Sequence, residues 1–181
     1  MMRAPVGQQI IMVVGPDMTG KTEISTTLSK VLGIPRFKAS TEHDTYLKGQ
    51  SHFVQQLRYA DPRMIDFLQQ TGYSAIFDRS YACEYAYSKV LGRETDPIAL
   101  VTSDNWMAEL GARVIICRRS SYAGIIDDID PTTTEERLIA LDDAYREFAE
   151  WTQCRTLVLN VDDENMQREI HEILKWMGLT S

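Results

Sequence analysis

Short apolar runs alternate along this chain with longer stretches in which apolar residues recur every three or four positions. Five runs, at residues 10–14, 34–37, 74–77, 113–117 and 156–161, read as buried strands, each close to turn or polar residues. The helical period predicts helices over 21–32, 53–71, 82–91, 97–110, 134–151 and 164–177. Pro62 lacks a backbone donor and is expected to kink or interrupt the second helix. Gly33 and Gly72 stand where a helix ends in a left-handed residue, and Asp163 is expected to cap the last helix. Strand followed by helix, repeated, predicts an α/β fold: three layers, with a five-stranded parallel sheet flanked by helices. No repeat, low-complexity tract or proline-rich linker argues for a second unit, so one domain over residues 1–181 is expected.

One segment supplies chemistry at a strand end. Gly15-Pro16-Asp17-Met18-Thr19-Gly20-Lys21-Thr22 fits GxxxxGK[ST], directly after the first strand and directly before the first helix. Glycines there let backbone N–H groups turn onto phosphates, and the following helix aims its positive end at the same charge. Gly15, Asp17, Met18, Thr19, Gly20, Lys21 and Thr22 are therefore expected to bind ATP in a P-loop kinase fold. Lys21 would reach the β- and γ-phosphates, and the Thr22 hydroxyl would sit on Mg²⁺. The loop is shared by GTPases and motor ATPases, but the chain has no guanine-reading NKxD segment, and nothing in the rest of the sequence favours a motor ATPase.

Composition narrows the partners. A chain of 181 residues, 44% hydrophobic, can bury a substantial core. Its formal net charge of -7 argues against a nucleic-acid polymer and for small-molecule substrates. Cys83, Cys117 and Cys154 show no CxxC spacing, and His43, His52 and His171 no metal-ligand spacing. No stretch approaches the roughly 18 apolar residues a membrane span needs, so a cytoplasmic protein is expected.

The third strand delivers Asp78 and Arg79 to the edge of the sheet where ligands bind in open α/β folds. Asp78 is expected to hold Mg²⁺ together with Thr22, and Arg79 to pair with an acceptor phosphate. The phosphate loop, then Asp78-Arg79-Ser80 followed by Glu84-Tyr85-Ala86-Tyr87, resembles thymidylate kinases and related deoxynucleoside monophosphate kinases, phage-type members most of all. The resemblance implies an ATP-dependent phosphorylation of dTMP or a related pyrimidine deoxynucleotide, and a possible homodimer. It also implies that Arg58 and Arg79 grip the acceptor monophosphate and that Tyr87 packs near its sugar or base. Phe37, Lys38 and Glu42 fall in the family's acceptor-contacting segment.

An acceptor phosphate is already an oxyanion and needs positioning more than a base. A nucleoside acceptor would need a carboxylate to take its proton, for which Glu42 is the convenient candidate. A deoxynucleoside kinase using Glu42, and a non-catalytic nucleotide-binding module, are the alternatives. Residues 118–134 occupy the place of a mobile lid, yet no arginine lies between Ser120 and Glu136. Arg118 is thus the expected catalytic arginine and Arg119 an ATP ligand. Asp127 and Asp128 read as solvated loop or helix-start acids, and the resemblance implies that the loop 160–164 passes near the adenine ring.

Overall fold

The computed structural model describes residues 7–38, 52–125 and 133–180. Five parallel strands form its sheet: β1 (Ile10–Val14), β2 (Arg36–Lys38), β3 (Ala75–Asp78), β4 (Arg113–Arg118) and β5 (Arg155–Asn160), in the order β2-β3-β1-β4-β5. The central β1 is fully buried along its length, which is why it reads as an unbroken apolar run. Its side chains alternate between two cores. Ile10, Met12 and Val14 face one side with residues of α3 (Asp61–Thr71), α4 (Tyr81–Leu91), α5 (Pro97–Glu109) and α6 (Glu135–Trp151). Ile11 and Val13 face the other, with α1 (Lys21–Leu32) and α7 (Met166–Trp176). The α/β expectation holds: a five-stranded parallel sheet lies between two helical layers.

Two elements differ from the expected pattern. The predicted helix over 53–71 is built as α2 (His52–Gln55), a π turn (Gln56–Ala60) and α3. Pro62 sits in the first turn of α3, where its missing donor is harmless, and the backbone N–H of Asp61 reaches back five residues to the Gln56 carbonyl. The helix is thus bulged at the proline rather than stopped by it. At the C-terminal helix, Asn165 and not Asp163 is the cap: its side chain accepts from Arg168 N at 3.1 Å. Glu164 takes a left-handed conformation (φ 49°), which leaves Asp163 outside the helix, where it pairs with the Arg168 guanidinium at 2.7 Å. Gly33 and Gly72 close α1 and α3 in left-handed conformations as expected.

A buried carboxylate ties the helical layer together. Asp104 of α5 accepts from the Tyr81 hydroxyl of α4 at 2.8 Å, the Thr152 hydroxyl at 2.5 Å and the Gln153 amide at 2.7 Å, the last two beyond the end of α6. The three cysteines are free and buried, and burial pushes the Cys117 thiol up to about 12. Asp104→Ala removes the acceptor of the buried Tyr81 hydroxyl and of the less buried Thr152 hydroxyl and Gln153 amide. It is expected to lower the unfolding free energy by about 2 kcal/mol in denaturant titrations.

Candidate active site

The phosphate loop leaves β1 against the backbone of β4. Gly15 has φ 143°, and a Cβ built on it would lie 2.1 Å from the Cys117 carbonyl oxygen, so a side chain is excluded both by space and by backbone conformation. The loop then turns through Met18 in a left-handed conformation (φ 61°) and closes on itself through the Thr19 hydroxyl, which donates to Pro16 O at 2.8 Å. The Lys21 ammonium also donates to Pro16 O. Burial, then the nearby Arg79, lower the Lys21 pKa, so this ammonium is held where negative charge would stabilise it. Gly20 precedes α1 in a left-handed conformation, and no side chain caps the helix. The first-turn amides are therefore available to an anion in front of the helix.

Asp78 closes the floor of this cradle. It is completely buried, and its Oδ2 accepts from the Thr22 hydroxyl at 2.9 Å and from Arg36 Nη1 at 2.7 Å. Its Oδ1 is buried without a partner. A hydroxyl, a carboxylate and an unused carboxylate oxygen beside a phosphate cradle are hard donors that suit Mg²⁺, which takes one or two protein oxygens and completes its shell with phosphate and water. Among the described residues no cluster of three or more His, Cys, Asp or Glu could hold a metal by itself.

Arg79 follows Asp78 in a strained left-handed conformation (φ 77°), held by its N–H donating to Val13 O at 3.1 Å. This conformation carries its side chain between the phosphate loop and α4. Its guanidinium donates to Asp17 Oδ1 at 3.4 Å and lies 6.0 Å from the centre of the Tyr87 ring. A residue kept in a sparsely populated backbone region marks a site that the surroundings over-determine. Strain of this kind falls on Met18, Arg79 and Glu164 among the described non-glycine residues. Met18 and Glu164 also share a partner, since Arg119 donates to Met18 O at 3.0 Å and to Glu164 Oε1 at 2.7 Å.

Beside Arg79 opens a pocket with apolar walls from Phe37, Ala60, Met64, Ile65, Phe77 and Met107, completed by Lys38, Gln56, Asp61, Arg79, Ser80 and Tyr81. Phe37, partly exposed at the end of β2, stacks on Phe77 with ring centres 5.8 Å apart. The Tyr81 hydroxyl is already engaged by Asp104. Burial raises the Asp61 carboxyl to about 6, partly offset by the Gln56 amide. Glu84 behind it is raised to about 7 by burial, despite a 2.5 Å pair with Arg93, and the Asp61 charge adds to that rise.

The structure thus brings Gly15, Asp17, Met18, Thr19, Gly20, Lys21, Thr22, Asp78, Arg79 and Tyr87 together, with Arg119 beside Met18, and puts Phe37 and Lys38 on the adjoining pocket. Arg58 is elsewhere: half-exposed on the π turn, it pairs with Asp96 at 2.6 Å, next to the start of α5. Arg118 turns toward α6, where Asp142 holds it through two bonds of 3.1 and 2.7 Å. Tyr122 and Arg146 share that carboxylate. Asp162 in the loop after β5 accepts from the Ser120 amide at 2.8 Å, so the loops after β4 and β5 are fastened to each other. Glu42, Asp127 and Asp128 lie outside the described residues. Gln56 and Asp61 were missed by sequence reasoning. Their nearest signal is an acid and an amide flanking a stretch of otherwise helical pattern just before Pro62.

No protein-family model and no curated protein matches the chain. Solved structures do. The YorR protein from Bacillus subtilis, in complex with phosphorylated GDP, superposes with a TM-score of 0.69 at 15% identity over 94% of this chain and 96% of that one. Deoxyadenosine kinase from M. mycoides with bound dATP gives 0.58 at 22% identity over 94% and 100%. Thymidylate kinase from Ehrlichia chaffeensis gives 0.57 at 16% over 95% and 100%. At these identities the likeness is one of fold, spanning nearly the whole of each chain. No helix among the described residues is long and apolar enough to cross a membrane.

The raised Asp61 carboxyl makes stability depend on pH in a defined direction. The folded state holds its proton more tightly than the unfolded chain, so its stability contribution is complete below about pH 4 and declines as pH rises through about 6. Asp61→Asn cannot ionise. The variant's stability relative to the parent is expected to increase across this window and to level off above it, measured as melting temperature against pH.

Proposed function

We propose that this chain transfers the γ-phosphate of ATP to a pyrimidine deoxynucleoside monophosphate, dTMP or a related one. The observation that carries this reading is Arg79, which belongs at once to the lining of the apolar pocket and to the phosphate loop through Asp17. A phosphate on a molecule in that pocket would meet a guanidinium already aimed at the place where the γ-phosphate of ATP lies. Phosphoryl transfer asks mainly for such positioning and charge neutralisation.

The residues then take distinct tasks. The uncapped start of α1 and the loop amides hold the ATP phosphates, and Lys21 exchanges its bond to Pro16 O for the β- and γ-phosphates. Mg²⁺ between Thr22 and Asp78 would neutralise charge on the transferring group. Arg79 holds the acceptor phosphate in line, while Tyr87 and Asp17 fix the guanidinium. Phe37 offers its stacked face to the base. Arg119, anchored to the phosphate loop and to the loop after β5, lies on the adenine side. Arg118 could reach the phosphates on release from Asp142.

One observation favours a second reading, a deoxynucleoside kinase. Arg58 pairs with Asp96 away from the pocket lining, which leaves Arg79 as the described arginine there and weakens a two-arginine clamp. ADP release measured with ATP, Mg²⁺ and matched sets of monophosphates and nucleosides separates the two. Turnover with monophosphates alone supports the first reading, and with nucleosides alone the second, in which Glu42→Gln should abolish turnover. Under the first reading Arg79→Ala is expected to raise the acceptor KM and lower kcat, losing about 3 kcal/mol of transition-state binding, and Lys21→Ala to remove nearly all transfer. Normal kinetics in either variant would overturn the assignment.

A further inference from the structure

The pocket beside Arg79 is apolar along the stacked rings of Phe37 and Phe77, and polar side chains enter it at a few points only. Arg79 is tied to the phosphate loop through Asp17 and so fixes where a phosphate would sit. Gln56 and Asp61 form a separate polar pair. They bracket the π turn, and the extra residue of that turn joins them: the Asp61 N–H donates to the Gln56 carbonyl, and the Gln56 side-chain amide meets the Asp61 carboxyl. The influences on that carboxyl are burial and Gln56, with no cation among them. This half-buried carboxyl, bonded by the Gln56 amide, lines the same slot as Phe37 and Phe77, where a base would lie.

Resting on the pyrimidine-acceptor reading, we propose that Asp61, supported by Gln56, reads the exocyclic amino group of the acceptor base and selects a cytosine deoxynucleotide over a thymine one. An ionised carboxylate only accepts hydrogen bonds. Cytosine presents amino hydrogens at C4, which pair with it. Thymine presents a carbonyl oxygen at the same place, so two acceptors would face each other in a largely apolar slot. A site built to bond a polar substrate group rejects an analogue that cannot bond it far more strongly than an apolar wall rejects a methyl group. The Gln56 amide carries both a donor and an acceptor, and can serve the ring nitrogen beside the amino group.

Protonation inverts the preference. Below about pH 6 the Asp61 carboxyl gains an O–H donor, and a carbonyl at C4 becomes an acceptable partner. The charged or titratable groups around it are Glu84 of α4, itself paired with Arg93, and Lys38, Arg79 and Tyr81 of the pocket lining. The Asp61 charge raises the Glu84 carboxyl in turn, after burial and against its pairing with Arg93.

The test compares kcat/KM for dCMP and dTMP in the parent, Asp61→Asn and Asp61→Ser, with calorimetric binding of the same two nucleotides to each protein and a melting curve as the folding control. The parent is expected to favour dCMP at least about tenfold at pH 7.5, and less as pH falls toward 5.5. Asp61→Asn, whose amide can donate to a carbonyl, should move the ratio about tenfold or more toward dTMP and make it independent of pH, with the KM for ATP unchanged. Asp61→Ser should lose the preference without gaining dTMP. A parent that prefers dTMP, or a ratio that neither substitution moves, overturns the proposal. Should the chain act on nucleosides instead, the monophosphate reading fails, but deoxycytidine against thymidine reports on Asp61 in the same way. Without any turnover the calorimetric ratio decides.

Discussion

A single buried carboxylate, Asp78, holds the site to the sheet. It ends β3, and one of its oxygens accepts both the Thr22 hydroxyl from α1 and the Arg36 guanidinium from β2. The helix behind the phosphate loop, an edge strand and a central strand therefore meet at one group. A fully buried carboxylate costs several kcal/mol unless it is paired, and here it is paired on one oxygen only. The energy left in the unpaired oxygen is what would draw a cation to this position.

Around that fixed point the backbone is bent away from its ordinary conformations. Arg79, the next residue, is left-handed, and so are Met18 in the phosphate loop and Glu164 after β5. Each places a side chain or carbonyl that the regular strand or helix could not: Arg79 reaches Asp17, Met18 turns its carbonyl to Arg119, and Glu164 turns its carboxylate to the same arginine. The sheet supplies rigidity, and the bends at its ends supply aim. Arg119 then links two of the three bends, so the phosphate loop and the loop after β5 are positioned relative to each other by one guanidinium.

Much of this was readable from the order of residues. β1 and β4 are buried on both faces, so their apolar runs are continuous; β2 and β5 lie at the edges, are more exposed, and came out shifted by one or two residues. The phosphate loop was legible because its chemistry is local, with backbone amides, glycines and a lysine all within eight residues. Arg58 and Arg118 were harder, since their direction is decided by Asp96 and Asp142, partners 38 and 24 residues away. Asp61 was invisible for a related reason. An acid in a helical segment reads as solvated, and what buries it is the meeting of the π turn with β3 and α5, a fact of tertiary packing.

The contact between Gly15 and the Cys117 carbonyl also separates two kinds of information in the molecule. The height of the phosphate loop above the sheet is set by main chain against main chain, and the side chain at position 117 takes no part in it. The pocket, by contrast, is written almost entirely in side chains. Substitutions along its wall can remodel what the protein accepts while the cradle for the donor stays in register, so the two halves of the site can change at different rates.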